Sequence, residues 1–177
     1  MLQFPKPHVF AWKRALTTLA TRAIVYETNG NPASVLSAVT CSPPPKPTGS
    51  SVALRHILSP VHPSDINTVE GVYPYRPQAR QLNIDGEERA LRVPGKEGLA
   101  EVVDVGEGVK GLRKGDWVVF GKNQAGTWSS GQIIEEGDVM KIDRETGISA
   151  VNAATLVVSS AQKCSVGPRH PVNSRTM

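Results

Sequence analysis

Residues 59–74 read SPVHPSDINTVEGVYP, and the alternation of helix-starting and helix-stopping residues in this stretch organises the chain on either side of it. His62 precedes a proline, which keeps it out of the α region and gives the segment an extended entry. Ser64 is placed to cap a short helix, with Asp65 near its positive end. Gly71 ends that helix in the left-handed conformation. Tyr73 follows at once, between Val72 and Pro74, in a turn that the proline stiffens. A phenol donates a hydrogen bond at neutral pH, and one held on a stiff turn suits proton donation or polarisation of a carbonyl. A surface tyrosine beside a turn satisfies the same residues, so local chemistry leaves both roles open.

Working outward, residues 51–58 (SVALRHIL) alternate well enough for a half-buried strand. Residues 23–26 predict an earlier strand and residues 35–39 a weaker one. Residues 41–51 hold four prolines and a glycine and read as a turn-rich connector. Residues 74–92 are polar and irregular and read as a loop. Residues 99–105, with Val102, Val103 and Val105, predict a strong strand. Residues 117–120, 133–134 and 139–142 suggest three more. Many short strands punctuated by glycine and proline predict a mainly β, partly open barrel with a few short helices.

The chain of 177 residues is long enough for one ordinary domain core. It holds no apolar run near the roughly 20 residues needed to span a membrane. Cys41 and Cys164 are too few and too far apart for a disulfide framework or a zinc site, and both fall in segments read as irregular. The net charge of +4 resides in residues 1–22, where Lys6, Lys13, Arg14 and Arg22 meet no acid. The rest of the chain is balanced, which removes the electrostatic case for nucleic-acid binding. Residues 1–22 are basic, hydroxylated and weakly amphipathic, with Phe10, Trp12, Leu16 and Leu19, the profile of a mitochondrial transit peptide. Residues 159–177 are polar, with three basic residues and no acid, and read as a disordered tail.

Gly106-Glu107-Gly108-Val109-Lys110-Gly111 matches G-x-G-x-x-G after a strand. A dinucleotide fingerprint needs a helix opening at the glycines, so that its amides face the pyrophosphate. Gly115 cuts any such helix short, and Glu107 sets a negative charge beside the phosphates. The glycines therefore predict a turn between two strands. His8, His56, His62 and His170 have no metal-ligand spacing. Trp128 suits either a core position or the wall of an apolar pocket.

The stretch HPSDINTVEGVYP resembles a pattern close to NPSDIN-x-I-x-G-x-YP. PGKEGLAEVVDVG at residues 94–106, LRKGDWVVF at 112–120, GTW at 126–128 and NAATLVV at 152–158 follow in the same order. On these motifs the chain resembles the N-terminal, catalytic half of the mitochondrial 2-enoyl thioester reductases, in the medium-chain dehydrogenase/reductase superfamily. The resemblance implies a GroES-like catalytic domain over residues 23–158. It implies reduction of a trans-2-enoyl group on acyl carrier protein or coenzyme A in the mitochondrial matrix. NADPH would be the reductant and Tyr73 the proton donor. It makes Asn67, Trp128 and His62 substrate-side candidates. His62 stands where the family usually has asparagine, and Lys96 stands in GKEG where the family has GNEG. The family's Rossmann domain, which carries the cofactor-binding residues and most of the dimer contacts, is not seen after residue 158. The expectation is a truncated, inactive and monomeric form with no assignable cofactor residue. A non-enzymatic fragment or an acyl-carrier-protein-binding module is the alternative.

Overall fold

The computed structural model describes residues 21–74, 76–122 and 125–157. The segments read as leader (1–22) and tail (159–177) lie outside these residues, except that the first strand already begins at Thr21.

Among the described residues nine strands form the body of the fold, with three short α-helices set between and after them. β1 (Thr21–Val25) pairs antiparallel with β2 (Ser37–Cys41). Between them lies a single helical turn, α1 (Pro32–Val35), started by Pro32 and by the Asn31 side chain accepting from Ala33 N–H. The weak strand expected at residues 35–39 therefore starts later, at Ser37. Cys41 is not in an irregular segment: it ends β2 and is buried, and burial pushes its thiol up.

The main sheet has the order β8-β3-β6-β7-β9, every pair antiparallel. Its strands are β3 (Ser51–Leu58), β6 (Leu99–Val105), β7 (Trp117–Phe120), β8 (Gly131–Glu135) and β9 (Val139–Ile142). Side chains two apart on a strand share a face, and this period divides the sheet between two cores. Val52, Leu54, Ala100, Val102, Val118 and Phe120 face one core, together with Leu112 and Val139. Leu99 and Val119 face the other, where they pack on Ala153 and Ala154 of α3 (Ala150–Ala154). Register shifts at Ala53/Leu54 and His56/Leu58 bend β3, as bulges do, and curl the sheet without closing it. The result is the mainly β, partly open architecture that the short strands imply.

Residues 74–92 depart from the loop expectation. β4 (Arg80–Ile84) and β5 (Glu87–Leu91) form an antiparallel hairpin. Asp85 (φ 53°) and Gly86 (φ 89°) make its two-residue turn, and positive φ at both positions is what a type I′ turn requires. Leu82 and Ile84 pack with Leu91 and Val93 on Ala23 and Val25, so the hairpin and the β1–β2 ribbon share a small core.

The glycines at 106–111 form a turn, as their spacing predicts. Gly106 N–H donates to Ser51 O (2.9 Å) and Gly108 N–H to Gly49 O (2.8 Å). A Cβ at Gly106 would lie 2.7 Å from the Thr48 carbonyl carbon, so only glycine fits there. The amides of Lys110 and Gly111 point at the Glu136 carboxylate, the latter at 2.6 Å. These contacts hold the Glu136 carboxyl below the usual range.

Candidate functional site

The helix expected in residues 59–74 is α2 (Pro63–Glu70). Its N-cap is His62 rather than Ser64, because Pro63 takes the first helical position, where its missing N–H costs nothing. Asp65, at the third helical position, accepts the His62 N–H (2.9 Å). Ser64 lies inside the helix, and its carbonyl accepts the Thr68 hydroxyl (2.7 Å). Gly71 ends the helix at φ 87°, as expected. From the β1–α1 loop, Asn29 Nδ2 donates to the Thr68 and Val69 carbonyls, both at 3.0 Å. Gly30 N–H also reaches Val69 O (3.1 Å). These donors satisfy carbonyls that a helix end would leave open.

Asn67 enters through its backbone. Its carbonyl accepts from Gly71 (3.1 Å), Val72 (3.0 Å) and Tyr73 (3.1 Å), while the residue itself is exposed. Three amides on one oxygen fix the turn that carries Tyr73. The Tyr73 ring is half-buried and lies over the Lys96 ammonium, with Nζ 3.4 Å from the ring centroid. Lys96 is 6% exposed, and its Nζ has no hydrogen-bond acceptor among the described residues.

Lys96 stands in a tightly held loop, residues 94–98. Gly126 N–H donates to Gly95 O (2.8 Å) and Trp128 N–H to Pro94 O (3.1 Å). Thr127 Oγ1 donates to Glu97 O (2.7 Å). A Cβ on Gly95 (φ 99°) would meet Trp128 Cδ1 at 2.6 Å, and one on Gly98 would meet Leu58 O at 2.7 Å. The loop therefore touches Trp128 through Gly95 and Tyr73 through Lys96. Glu97, 1% exposed, accepts from His62 Nε2 at 2.5 Å. Asp65 is equally buried. Burial pushes its carboxyl up, opposed by the His62 amide and by the Lys96 ammonium.

Of the sequence candidates, Tyr73, Asn67 and His62 thus gather around α2 and the 94–98 loop. Trp128 is half-buried, and its indole N–H donates to Pro60 O (3.3 Å). It lines an open groove of about 580 Å³ with Ile24, Ala38, Ser59 and Val61, and Arg22 is at the rim. Tyr73 is not among the groove's lining residues. Sequence reasoning missed the buried charges Asp65 and Glu97 and the contact of Lys96 with Tyr73. The departure of GKEG from GNEG was the one signal that marked this place.

A second buried polar set lies on the sheet. His56 Nδ1 is 2.7 Å from Ser129 O, and its Nε2 is 3.3 Å from Gln132 Nε2. Arg80 donates to Gln132 Oε1 (2.5 Å) and to Ala125 O (2.6 Å). The donors run in one direction, Arg80 to Gln132 to His56 to the Ser129 carbonyl, which requires a neutral imidazole with its proton on Nδ1. Burial lowers the His56 pKa to about 4. Arg80 adds to that shift, and the bond to Ser129 opposes it. Among the described residues no group of three or more His, Cys, Asp or Glu could hold a metal ion. No helix among them is long and apolar enough to cross a membrane.

Comparison with known proteins identifies the domain. Residues 49–168 match the alcohol dehydrogenase GroES-like domain. A curated relative, the mitochondrial enoyl-[acyl-carrier-protein] reductase of Schizosaccharomyces pombe, is 37% identical over 82% of the chain, and the match spans 38% of that relative. A mutant of Etr1p, solved with NADP and crotonyl-CoA, superposes with a TM-score of 0.71 at 29% identity. The mitochondrial 2-enoyl thioester reductase Etr1p/Etr2p heterodimer from Candida tropicalis gives 0.70 at 28%. Each structural match covers 78% of this chain and 40% of the solved one, so the chain spans well under half the length of its relatives. With two thirds of its residues inside the family model and a curled antiparallel sheet to match, the chain belongs to the alcohol dehydrogenase GroES-like domain family, and within it resembles the mitochondrial enoyl thioester reductases.

Proposed function

We propose that this chain is the catalytic-domain part of an NADPH-dependent reductase of trans-2-enoyl thioesters, with Tyr73 as proton donor. The observation that carries the reading is the seating of Tyr73. Its backbone is tied to Asn67 O, its ring is packed on Lys96, and its turn closes α2. A donor fixed in one geometry loses little entropy when it meets substrate. The relatives named for this activity, and the Etr1p complex with NADP and crotonyl-CoA, support the substrate class and the reductant.

The described residues do not fit the pyrophosphate of NADPH. The one glycine-rich turn opens no helix, and two of its amides are already engaged by Glu136. The nucleotide would therefore be held by residues other than those described. NADPH held there would supply the hydride for the β-carbon of the thioester. The work of this chain is on the other side: Tyr73 holds the proton for the α-carbon. Asn67 orients Tyr73 through its carbonyl. His62 starts the helix and ties it to Glu97. Trp128 and Val61 offer an apolar wall.

The test is NADPH oxidation with crotonyl-CoA. The 177-residue chain alone is expected to give no turnover above the blank, because none of the described residues seats the nucleotide. The same chain continued into the cofactor domain of a relative is expected to turn over. An inactive but folded fusion that binds NADPH would overturn the reading.

We further propose that residues 1–22 direct the protein to the mitochondrial matrix, a reading supported by their composition and by the mitochondrial names of the relatives. A fluorescent reporter carrying residues 1–30 should localise to the matrix and lose the leader. A reporter that stays in the cytosol would remove the claim.

A further inference from the structure

The Lys96 ammonium is the most conspicuous buried group that the proposed reaction leaves unused. It is 6% exposed, and its Nζ has no hydrogen-bond acceptor among the described residues. A charge in such a place is costly unless something nearby compensates it. Two neighbours do so. One is the face of Tyr73, 3.4 Å away, whose quadrupole attracts a cation. The other is the buried Asp65, whose carboxyl is pushed up by burial and drawn back down by the Lys96 charge. Glu97, next in sequence, faces His62 instead. The ammonium is thus held against the ring by the field of its surroundings, not by a hydrogen bond that would fix it elsewhere.

We propose that Lys96 is a positioning and charge-compensating residue for Tyr73, its ammonium set on the ring face where it offsets the charge the phenol takes on as it gives up its proton. This rests on the reading of Tyr73 as proton donor and adds to it the group that makes the donation favourable. When Tyr73 protonates the α-carbon, its O–H bond breaks and the pair stays on the phenolic oxygen. The new C–H bond forms with the electron pair that hydride addition leaves on the substrate. The phenolate then spreads negative charge into the ring, directly over a cation that was in place beforehand and needs no reorganisation. The ring face of the phenolate attracts Lys96 more strongly than that of the phenol, so the interaction grows along the reaction. Solvent returns the proton afterwards.

The test uses the 177-residue chain and needs neither NADPH nor substrate, so its failure is separate from failure of the reductase reading. An arylsulfonyl fluoride probe reacts with a tyrosine phenolate, forming an O–S bond and expelling fluoride. Labelling is followed by mass spectrometry with fragment assignment, which distinguishes Tyr73 from Tyr75. Tyr73 is expected to label roughly tenfold faster than N-acetyltyrosinamide, the size of effect that a desolvated cation–π contact supports. Lys96→Met is expected to remove most of that advantage, and Lys96→Arg to retain it, because a guanidinium also lies on an aromatic face. Circular dichroism checks the fold of each variant, and Lys96→Asn replaces Lys96→Met should the latter not fold. A merely structural Lys96 would alter the melting temperature without altering the labelling rate of folded protein. Equal Tyr73 labelling in folded wild-type and Lys96→Met chains would overturn the proposal. So would a wild-type rate no greater than that of the free amide.

Discussion

Replacing Tyr73 with phenylalanine, in the chain joined to a cofactor domain, is expected to lower turnover by roughly 10²-fold or more, the scale of a lost general acid. The substitution removes one oxygen and keeps the ring, so the contact with Lys96 survives in the neutral ground state. The backbone bonds to Asn67 O involve no side chain and persist. Folding and NADPH affinity should therefore be unchanged, and the loss should appear in kcat rather than KM. Stopped-flow measurement of NADPH oxidation with crotonyl-CoA reads it directly. Unchanged turnover in the phenylalanine variant would sink the assignment of Tyr73 as donor.

The second large effect concerns acid. Burial holds the His56 imidazole neutral in the folded protein until about pH 4, against about 6.5 for a free imidazole. A proton on Nε2 would face the N–H of Gln132 and bring a second charge towards Arg80. Above pH 6.5 neither the folded nor the unfolded chain binds this proton, and the stabilisation is complete. Between pH 6.5 and 4 the unfolded chain takes it up and the folded one does not, so stability falls as pH falls. The loss is about 1.4 kcal/mol per unit, to a total of roughly 3 kcal/mol. Below pH 4 this group contributes no further loss. Urea unfolding at half-unit steps from pH 7 to 4.5 should show the decline. His56→Gln should be less stable at pH 7 but largely lack the slope. A wild-type stability that stays level over that range would show that His56 is not held neutral.

The sequence made the strands legible where their pattern was strong. Residues 51–58 form β3 with the expected limits, and residues 99–105 and 117–120 form β6 and β7. The β4–β5 hairpin was not read, because Arg80, Gln81, Asn83, Glu87, Glu88 and Arg89 hide the alternation that Leu82, Ile84 and Leu91 supply. Its Asp85-Gly86 turn was nonetheless a usable signal. Helix α2 stops at Gly71 as expected but starts two residues early, its cap displaced from Ser64 to His62 by the proline between them. The site divides in the same way. Tyr73 could be picked out because a glycine stop and a proline bracket it. The burial of Asp65, Lys96 and Glu97 could not, since charged residues are ordinarily exposed and the partners of Lys96 and Glu97 come from a segment far off in sequence. The dinucleotide-like glycines open no helix, and the structure adds a reason that no local reading contains: the amides of Gly106 and Gly108 bond to Ser51 O and Gly49 O, and that of Gly111 to Glu136, 25 residues further on.

The bond pattern at Asn67 turns α2 into a ruler. Tyr73 hangs from a carbonyl in the helix, and His62 pins the other end to Glu97, so the phenol's position is set by a count of residues and not by an adjustable loop. One residue more or fewer would shift the far end by about 1.5 Å and swing it by roughly 100°, taking the ring off Lys96. An insertion or deletion of one residue within α2 is therefore expected to displace the phenol more than a substitution on its exposed face.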